Sequence, residues 1–220
     1  DRNWTNYPTI LDGQALNRRV VTVTGTNVVL DGLIVSNSSG AAAGGILKTG
    51  GGSLTLANCR LVNHVGITGM GGYFIAGSVL MTNCVVAGNT YNSYNSYGLG
   101  IYSVGANLQL VDCLFTNNNS TGDARSSKGA ALYFDNGTLS VLRTHFVTNT
   151  GCLGQDGGGA AVYLGNTVTA SSFSNCVFRG NVTQYYVLPG YGGAMWVNLA
   201  AGRTATVVNC TFRDNLNDNG

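Results

Sequence analysis

The sequence predicts an all-β fold, a single-stranded right-handed parallel β-helix of about seven turns with three short strands in each turn. Three observations indicate this fold: a composition poor in helix-forming residues, short segments in which apolar and polar residues alternate, and a repeat of roughly 30 residues along the chain. In such a coil, equivalent residues of successive turns stack about 4.8 Å apart. The repeat therefore determines which residues share a wall of the coil.

The composition favours strands and turns over helices. Charged residues make up 9% of the 220-residue chain, against about 25% in typical domains, and every acidic residue is an aspartate. The chain holds 33 Gly and many Asn, Thr, Ser and Val, which are common in turns and strands. Because 44% of the residues are hydrophobic, the chain can bury a core, and disorder is not expected.

Two alternating segments recur in every repeat, one of the form L-x-L and one of the form C-x-F, joined by a two-residue bend. The Cys column consists of Leu33, Cys59, Cys84, Cys113, Thr144, Cys176 and Cys210. Two residues later lies a column of Val35, Leu61, Val86, Phe115, Phe146, Phe178 and Phe212. Three residues further lies a column of Ser38, His64, Asn89, Asn118, Asn149, Asn181 and Asn215. We expect the first two columns to fill the core, and the third to close each strand as an Asn ladder that bonds backbone amides of neighbouring turns.

A third segment precedes these two and is rich in Gly before it becomes apolar, as in "GGYFIA" at 71 and "GAAVYL" at 159. Small residues there allow the opposite wall to approach closely. Three short strands per repeat with no helix between them predict a coil. We expect one domain over 1–220, with an irregular N-terminal turn at 1–26, regular coils over 27–215 and a tail at 216–220.

The six cysteines admit three interpretations: a metal site, a disulfide framework, or small hydrophobic residues of the core. Five share the inward column and none forms a C-x-x-C pair, which favours the core interpretation over a zinc site. Disulfides between adjacent turns are the alternative. Cys152 lies off the column, in a loop, and is predicted to be the thiol open to reaction. No metal site and no cofactor are expected.

The repeat motifs resemble those of a known family. "FTNN" at 115, "FVTN" at 146, "FRGN" at 178 and "FRDN" at 212, together with "GGAM" at 192, resemble the paired FxxN and GGA[ILV] repeats of the chlamydial polymorphic outer membrane proteins. "PTILDG" at 8 and "NVVLDGLIVSNS" at 27 are similar to bacterial right-handed parallel β-helix repeats. The resemblance covers about residues 8 to 215. It implies a parallel β-helix of the kind found in adhesin passenger domains, and such coils also occur in polysaccharide-degrading enzymes.

Candidate catalytic groups are few. His64 falls in the Asn column, His145 falls at an outward position, and no G-x-S-x-G motif is present. The nearest constellation comes from loops at one edge of consecutive turns and comprises Asp123, Arg125, Lys128 and Asp156. We therefore do not predict an enzyme. The alternative is a carbohydrate-active enzyme, either a polysaccharide lyase or a glycoside hydrolase, or its non-catalytic stem.

The loops that follow the Asn column are rich in tyrosine. All of them must leave the coil from the same flank, and large rigid rings between small polar residues suit contact with carbohydrate or protein. The predicted ligand-binding residues are Tyr91, Tyr94, Tyr97, Tyr185, Tyr186 and Tyr191. The alternative is that these rings pack together and shield the wall. Possible glycosylation sequons begin at Asn3, Asn37, Asn118, Asn119, Asn136, Asn181 and Asn209.

Charge and hydropathy exclude two classes of partner. The net charge is +2 without a basic cluster, so neither nucleic acid nor an anionic membrane surface is an expected partner. No apolar run is long enough to span a bilayer. The chain opens without an initiator Met or signal peptide, as expected for a mature or excised segment.

Neither end of the predicted coil carries a cap. The chain is therefore expected either to belong to a longer passenger domain or to stack end to end with copies of itself. We predict a secreted or cell-surface structural and adhesive β-helix. Its expected partners are copies of itself, carbohydrate, or a host or cell-surface protein.

Overall fold

The structure is a computed structural model and describes residues 8–91, 95–120, 126–151, 157–184 and 191–217. Over these ranges the chain forms a right-handed parallel β-solenoid, which confirms the predicted fold class. Four sheets of seven, seven, eight and nine strands form its walls. Five coils have a neighbour on both sides in every sheet, and an end coil lies beyond them at each end. Within the described ranges, no helix is long and apolar enough to cross a membrane.

Two walls follow directly from the predicted segments. The glycine sheet, which follows the Gly-rich segments, consists of Val21–Val23, Ile46–Lys48, Gly72–Phe74, Ile101–Val104, Leu132–Asp135, Val162–Leu164 and Met195–Val197. The leucine sheet, built from the L-x-L segments, consists of Val28–Asp31, Ser53–Ala57, Ser78–Thr82, Asn107–Val111, Gly137–Leu142, Val168–Ser174 and Thr204–Val208. Neighbouring strands pair in parallel, with equivalent residues of successive coils in register.

The other two walls include one that the repeat did not predict. The phenylalanine sheet, built from the C-x-F segments, consists of Thr9–Asp12, Leu33–Ser36, Arg60–Val62, Val85–Ala87, Leu114–Thr116, His145–Val147, Val177–Arg179 and Thr211–Arg213. The fourth sheet consists of Ser39–Ala42, Val65–Thr68, Thr90–Tyr91, Asn95–Tyr97, Asn119–Ser120, Ser126–Lys128, Thr150–Gly151, Val182–Thr183 and Leu216–Asn217. The expectation of three strands per turn is therefore corrected to four walls.

The regular stack also extends beyond the range 27–215. Thr9–Asp12 pairs with Leu33–Ser36, and Val21–Val23 pairs with Ile46–Lys48, so the segment 1–26 contributes two strands where an irregular turn was expected. At the other end, Leu216–Asn217 pairs with the fourth sheet.

Left-handed backbone conformations turn the chain at the corners. Between the leucine and phenylalanine sheets, the residue before the Cys column has a positive φ, for example 53° at Asn58 and 50° at Asn83. The corner before the Asn column repeats this with 60° at Asn63 and 53° at Asn117. Asn, Asp and Gly tolerate this conformation best. Their recurrence at fixed positions therefore sets where each wall ends.

The interior is a continuous apolar core that runs the length of the stack. Phe115, Phe146, Phe178 and Phe212 stack in one column, with ring centroids 5.0, 4.9 and 4.6 Å apart. Each ring lies over the next because successive coils pair in register and the same residue of each strand points inward. The predicted inward direction of this column is confirmed by its burial except at Phe212 in the end coil.

The predicted Asn ladder is present beside this core. Asn118 Nδ2 donates to Asn149 Oδ1 at 2.9 Å and to the carbonyl of Val86 at 3.0 Å. The backbone N–H of Asn118 also donates to Asn149 Oδ1, at 3.1 Å. His64 takes the equivalent place one coil before Asn89, and its backbone N–H donates to Asn89 Oδ1 at 3.1 Å. Each side chain therefore ties its own coil to both neighbours.

The cysteines of the repeat line the core wall. Cys59, Cys84, Cys113 and Cys176 are buried, and Cys210 is half-buried in the end coil. Cys84 Sγ donates to the carbonyls of Leu56 and Thr82 at 3.3 Å. Contact with Cys113 is the largest cause of the raised pKa of the Cys84 thiol. Contact with Cys59 and burial act in the same direction. A protonated, buried thiol is inert, as expected of a small core residue. Cys152 lies outside the described residues.

Candidate functional site

The outward face of the glycine sheet carries a continuous column of aromatic rings. Each strand of this sheet directs its middle residue outward, and the strands pair in register. The outward residues of five successive coils are therefore neighbours. We call this column the aromatic strip, and it consists of Tyr73, Tyr102, Tyr133, Tyr163 and Trp196.

The rings of the aromatic strip have two orientations. Tyr133 stacks on Tyr102 at 4.6 Å and on Tyr163 at 4.8 Å, with interplanar angles of 22° and 21°. These three rings cover one another's faces and leave ring edges and the hydroxyls of Tyr102 and Tyr133 for a ligand, whereas the Tyr163 hydroxyl accepts from Asn198 Nδ2 at 3.3 Å. The end rings are turned: Tyr73 lies at 86° to Tyr102, and Trp196 lies at 78° to Tyr163. Edge-to-face and offset-stacked pairs are both favourable arrangements.

Side chains from the neighbouring flank extend the strip sideways. The ring of Tyr97 contacts Tyr133 edge to face at 5.9 Å, and Tyr191 stacks on Trp196 at 4.5 Å. Lys128 Nζ lies 5.4 Å from the ring centroids of both Tyr163 and Trp196. Both distances are within the range of a cation–π contact. The flank therefore adds two phenols and one positive charge to the strip.

Two phenols of the strip, Tyr102 and Tyr133, have raised pKa values. Burial is the largest cause that raises the pKa of Tyr102 to about 12, and the neighbouring Tyr73 and Asp135 act in the same direction. Burial and the adjacent phenols of Tyr102 and Tyr163 likewise raise the pKa of Tyr133. Near neutral pH these hydroxyls can therefore both donate and accept hydrogen bonds.

Comparison with known proteins returns no match. Neither the family models, the curated proteins nor the solved structures contain a significant similarity to this chain.

Two of the predicted tyrosines contact the strip. Tyr97 and Tyr191 contact its rings, as described above. Tyr91 is half-buried in the short strand Thr90–Tyr91. Tyr94, Tyr185 and Tyr186 lie outside the described residues, so their role in binding stays a prediction.

The strip itself was missed by the sequence analysis. Its residues lie in the segments "GGYFIA", "GLGIYS", "GAALYF", "GAAVYL" and "GGAMWV". Only the small residues of these segments were used to predict how the walls pack. Each aromatic residue occupies the same position after the Gly-rich stretch of its own coil, and the coils follow one another directly. That shared outward position was the signal, because in-register coils bring such residues into contact.

Most of the candidate catalytic constellation lies outside the described residues. Asp123, Arg125 and Asp156 lie outside the described residues, and Lys128 contributes to the aromatic strip. Among the described residues, no three His, Cys or Asp side chains gather closely enough to hold a metal ion. The carbohydrate-active enzyme stays an alternative prediction.

Two predicted glycosylation sites are corrected by their burial. Asn118 and Asn181 are fully buried, and each side-chain amide nitrogen donates to a carbonyl and to the next Asn of the ladder. Neither can carry a glycan in the folded chain. Asn119 is half-buried, and the exposed sequon residues are Asn37, Asn136 and Asn209. Asn3 lies outside the described residues.

Proposed function

We propose that this chain is a structural and adhesive β-helix that acts outside the cell, secreted or on a bacterial surface, and binds its ligand along the aromatic strip. The observation that carries the proposal is the contiguity of the strip, in which five aromatic side chains touch in series along the rod. Aromatic groups with a polar tip provide large contact area at low conformational cost.

The rigidity of the wall supports this role. The strip stands on strands that are hydrogen-bonded on both sides, from Gly72–Phe74 through Val162–Leu164. Its rings are therefore positioned before a ligand arrives, and less entropy is lost on binding. Tyr163 is only 5% exposed, so the other four rings of the strip, which are half-buried, and the flanking Tyr97 and Tyr191 provide most of the contact.

The repeat motifs support a surface location. The FxxN and GGA-type motifs resemble those of the chlamydial polymorphic outer membrane proteins, whose repeats belong to adhesin passenger domains. We carry over from that resemblance only the expectation of a displayed, adhesive rod.

Removal of the strip's central phenols tests the proposal. We expect Tyr102→Ser with Tyr133→Ser to weaken binding by at least tenfold, because two contiguous rings are lost. Binding is measured by biolayer interferometry against a panel of neutral and acidic polysaccharides and purified cell-surface proteins. The thermal melt, followed by circular dichroism, reports whether the variant is folded.

A matched control removes apolar surface from another wall. Val85 and Leu114 are half-buried, in-register neighbours on the outer face of the phenylalanine sheet. Val85→Ser with Leu114→Ser should retain binding. If both double variants bind like the unmodified chain, the strip is not the binding surface.

A further inference from the structure

We propose that the aromatic strip recognises an acidic glycan, an extended polysaccharide with carboxylate groups that lies along the rod and pairs one carboxylate with Lys128. This inference rests on the proposed binding function of the strip and specifies its ligand class.

Lys128 supplies the charge that selects a carboxylate. It belongs to the strand Ser126–Lys128 and is half-buried, with Nζ at 5.4 Å from the rings of Tyr163 and Trp196. The described ion pairs are Arg143–Asp112 and Arg213–Asp214, and within the described ranges Lys128 has no carboxylate partner. A half-buried lysine that has no counter-ion among the described residues favours an anionic ligand.

The neighbouring carboxylate does not neutralise Lys128. Asp135 ends the next strand along the chain, Leu132–Asp135 of the glycine sheet. Its Oδ1 accepts from Thr167 Oγ1 at 2.6 Å and from the backbone N–H of Thr167 and Asn136 at 3.0 Å. These bonds hold the carboxylate at the far end of its strand. Asp135 therefore leaves the positive charge of Lys128 to a ligand, and no other carboxylate of the described ranges pairs with it.

The phenols complement this charge. Tyr102 and Tyr133 make no hydrogen bond through their hydroxyls to any described residue, and their raised pKa values keep them protonated. A carboxylated glycan offers acceptors at regular intervals. The ring centroids of Tyr102 and Tyr133 lie 4.6 Å apart along the rod, so these two hydroxyls can donate to successive units of an extended chain.

The geometry favours a glycan over an acidic protein. Strand addition needs a free sheet edge, and the strands beneath Tyr102 and Tyr133 are paired on both sides. An acidic peptide would therefore find no backbone partner along the strip. The turned rings of Tyr73 and Trp196 offer surface of a different orientation at each end, where apolar C–H groups of a sugar ring can pack.

The test compares one glycan backbone with and without its charge. The probes are alginate oligomers and their methyl esters, which share one backbone and differ in the carboxylate charge and an added methyl group. We expect the unmodified chain to bind alginate about tenfold more tightly, the value of a single charge-assisted contact near 1.4 kcal/mol. Lys128→Met should bind both probes equally, and Lys128→Arg should retain the preference. Salt should weaken alginate binding and leave ester binding unchanged.

The controls separate this inference from the proposed function. Arg60→Met removes an exposed charge from the phenylalanine sheet and should retain the alginate preference. Equal binding of alginate and ester by the unmodified chain, or a preference that survives Lys128→Met, overturns the inference. If the ester still binds and Tyr102→Ser with Tyr133→Ser abolishes that binding, the proposed function stands alone. Binding of polyglutamate as tight as alginate assigns the strip to an acidic protein instead.

Discussion

At the residue scale, His64 is the point where the Asn ladder departs from its own pattern. Its Nε2 lies 3.1 Å from the carbonyl of Val35, and its Nδ1 accepts from the backbone N–H of Ser38 at 3.2 Å. This network assigns the proton to Nε2 of a neutral ring. Burial lowers the pKa of His64 from 6.5 to about 4, although the Val35 carbonyl acts in the opposite direction.

This lowered pKa predicts a pH-dependent stability. The unfolded chain binds the proton near pH 6.5 and the folded chain only near pH 4, so the free energy of unfolding should fall as pH drops through that window. The loss is on the order of 3 kcal/mol. His64→Asn restores the ladder residue and should flatten this part of the profile, measured by urea unfolding at several pH values. The exposed His145→Asn is the control, and an identical slope in His64→Asn would contradict the assignment.

Thr148 is a β-branched residue in a left-handed corner. Its φ is 53°, whereas Asn63 and Asn117 occupy the same corner elsewhere in the stack. A β-branched side chain in this conformation costs roughly 1–2 kcal/mol. We therefore expect Thr148→Asn to stabilise the protein by about 1 kcal/mol in denaturant unfolding. Thr116→Asn changes the same residue type within a strand and should give no gain. A destabilised Thr148→Asn would show that the hydroxyl contact of Thr148 Oγ1 with Asn117 Oδ1, at 2.8 Å, outweighs the strain.

At the scale of the element, the Asn ladder acts as a single hydrogen-bonded column. Asn118→Ala removes two hydrogen-bond donors and one acceptor from a fully buried site. The carbonyl of Val86 and the side-chain amide of Asn89 then lose their partners. We expect a loss of about 2–4 kcal/mol. Gln109→Ala, at an exposed position of the leucine sheet, is the matched loss of an amide. Equal stability of the two variants would exclude a structural role for the ladder.

The elements that the sequence predicted are those with a strong inward pattern. Phe115, Phe146 and the ladder residues repeat at inward positions, where burial constrains residue type. The fourth sheet was missed because its strands, such as Thr90–Tyr91 and Asn119–Ser120, hold two residues each and show no alternation. The aromatic strip was missed because the sequence pattern of a single strand shows only that its aromatic residue points outward. Only the register of the coils makes Tyr102 and Tyr133 neighbours.

At the scale of the whole molecule, the last described coil leaves its core uncovered. Phe212 is 48% and Leu216 is 58% exposed. The two predictions for this end are further coils of a longer passenger domain and the first coil of a second copy, and we propose the second copy for this chain. Continued in register, Leu11 would join the column of Phe212, and Asp12 would lie beside Arg213. Apolar contact and opposite charge would then act together.

A charge exchange tests this end-to-end contact. The chain should sediment as larger species with rising concentration, and electron microscopy should show filaments. Asp12→Arg should weaken assembly because two cations would meet, and Asp12→Arg with Arg213→Asp should restore it. A chain that sediments as a monomer at every concentration, or variants that all assemble alike, would refute the contact.

The in-register stack also has a genetic consequence. Within the described ranges, each coil pairs its strands with the coil before it and the coil after it. Its left-handed corners and ladder residue recur at the same positions. An in-frame duplication or deletion of one coil therefore joins matching surfaces and keeps the core continuous. Such an exchange lengthens or shortens the rod and changes the number of aromatic rungs on its face. Recombination between repeats can thus adjust the avidity for a polymeric ligand without a new fold having to evolve.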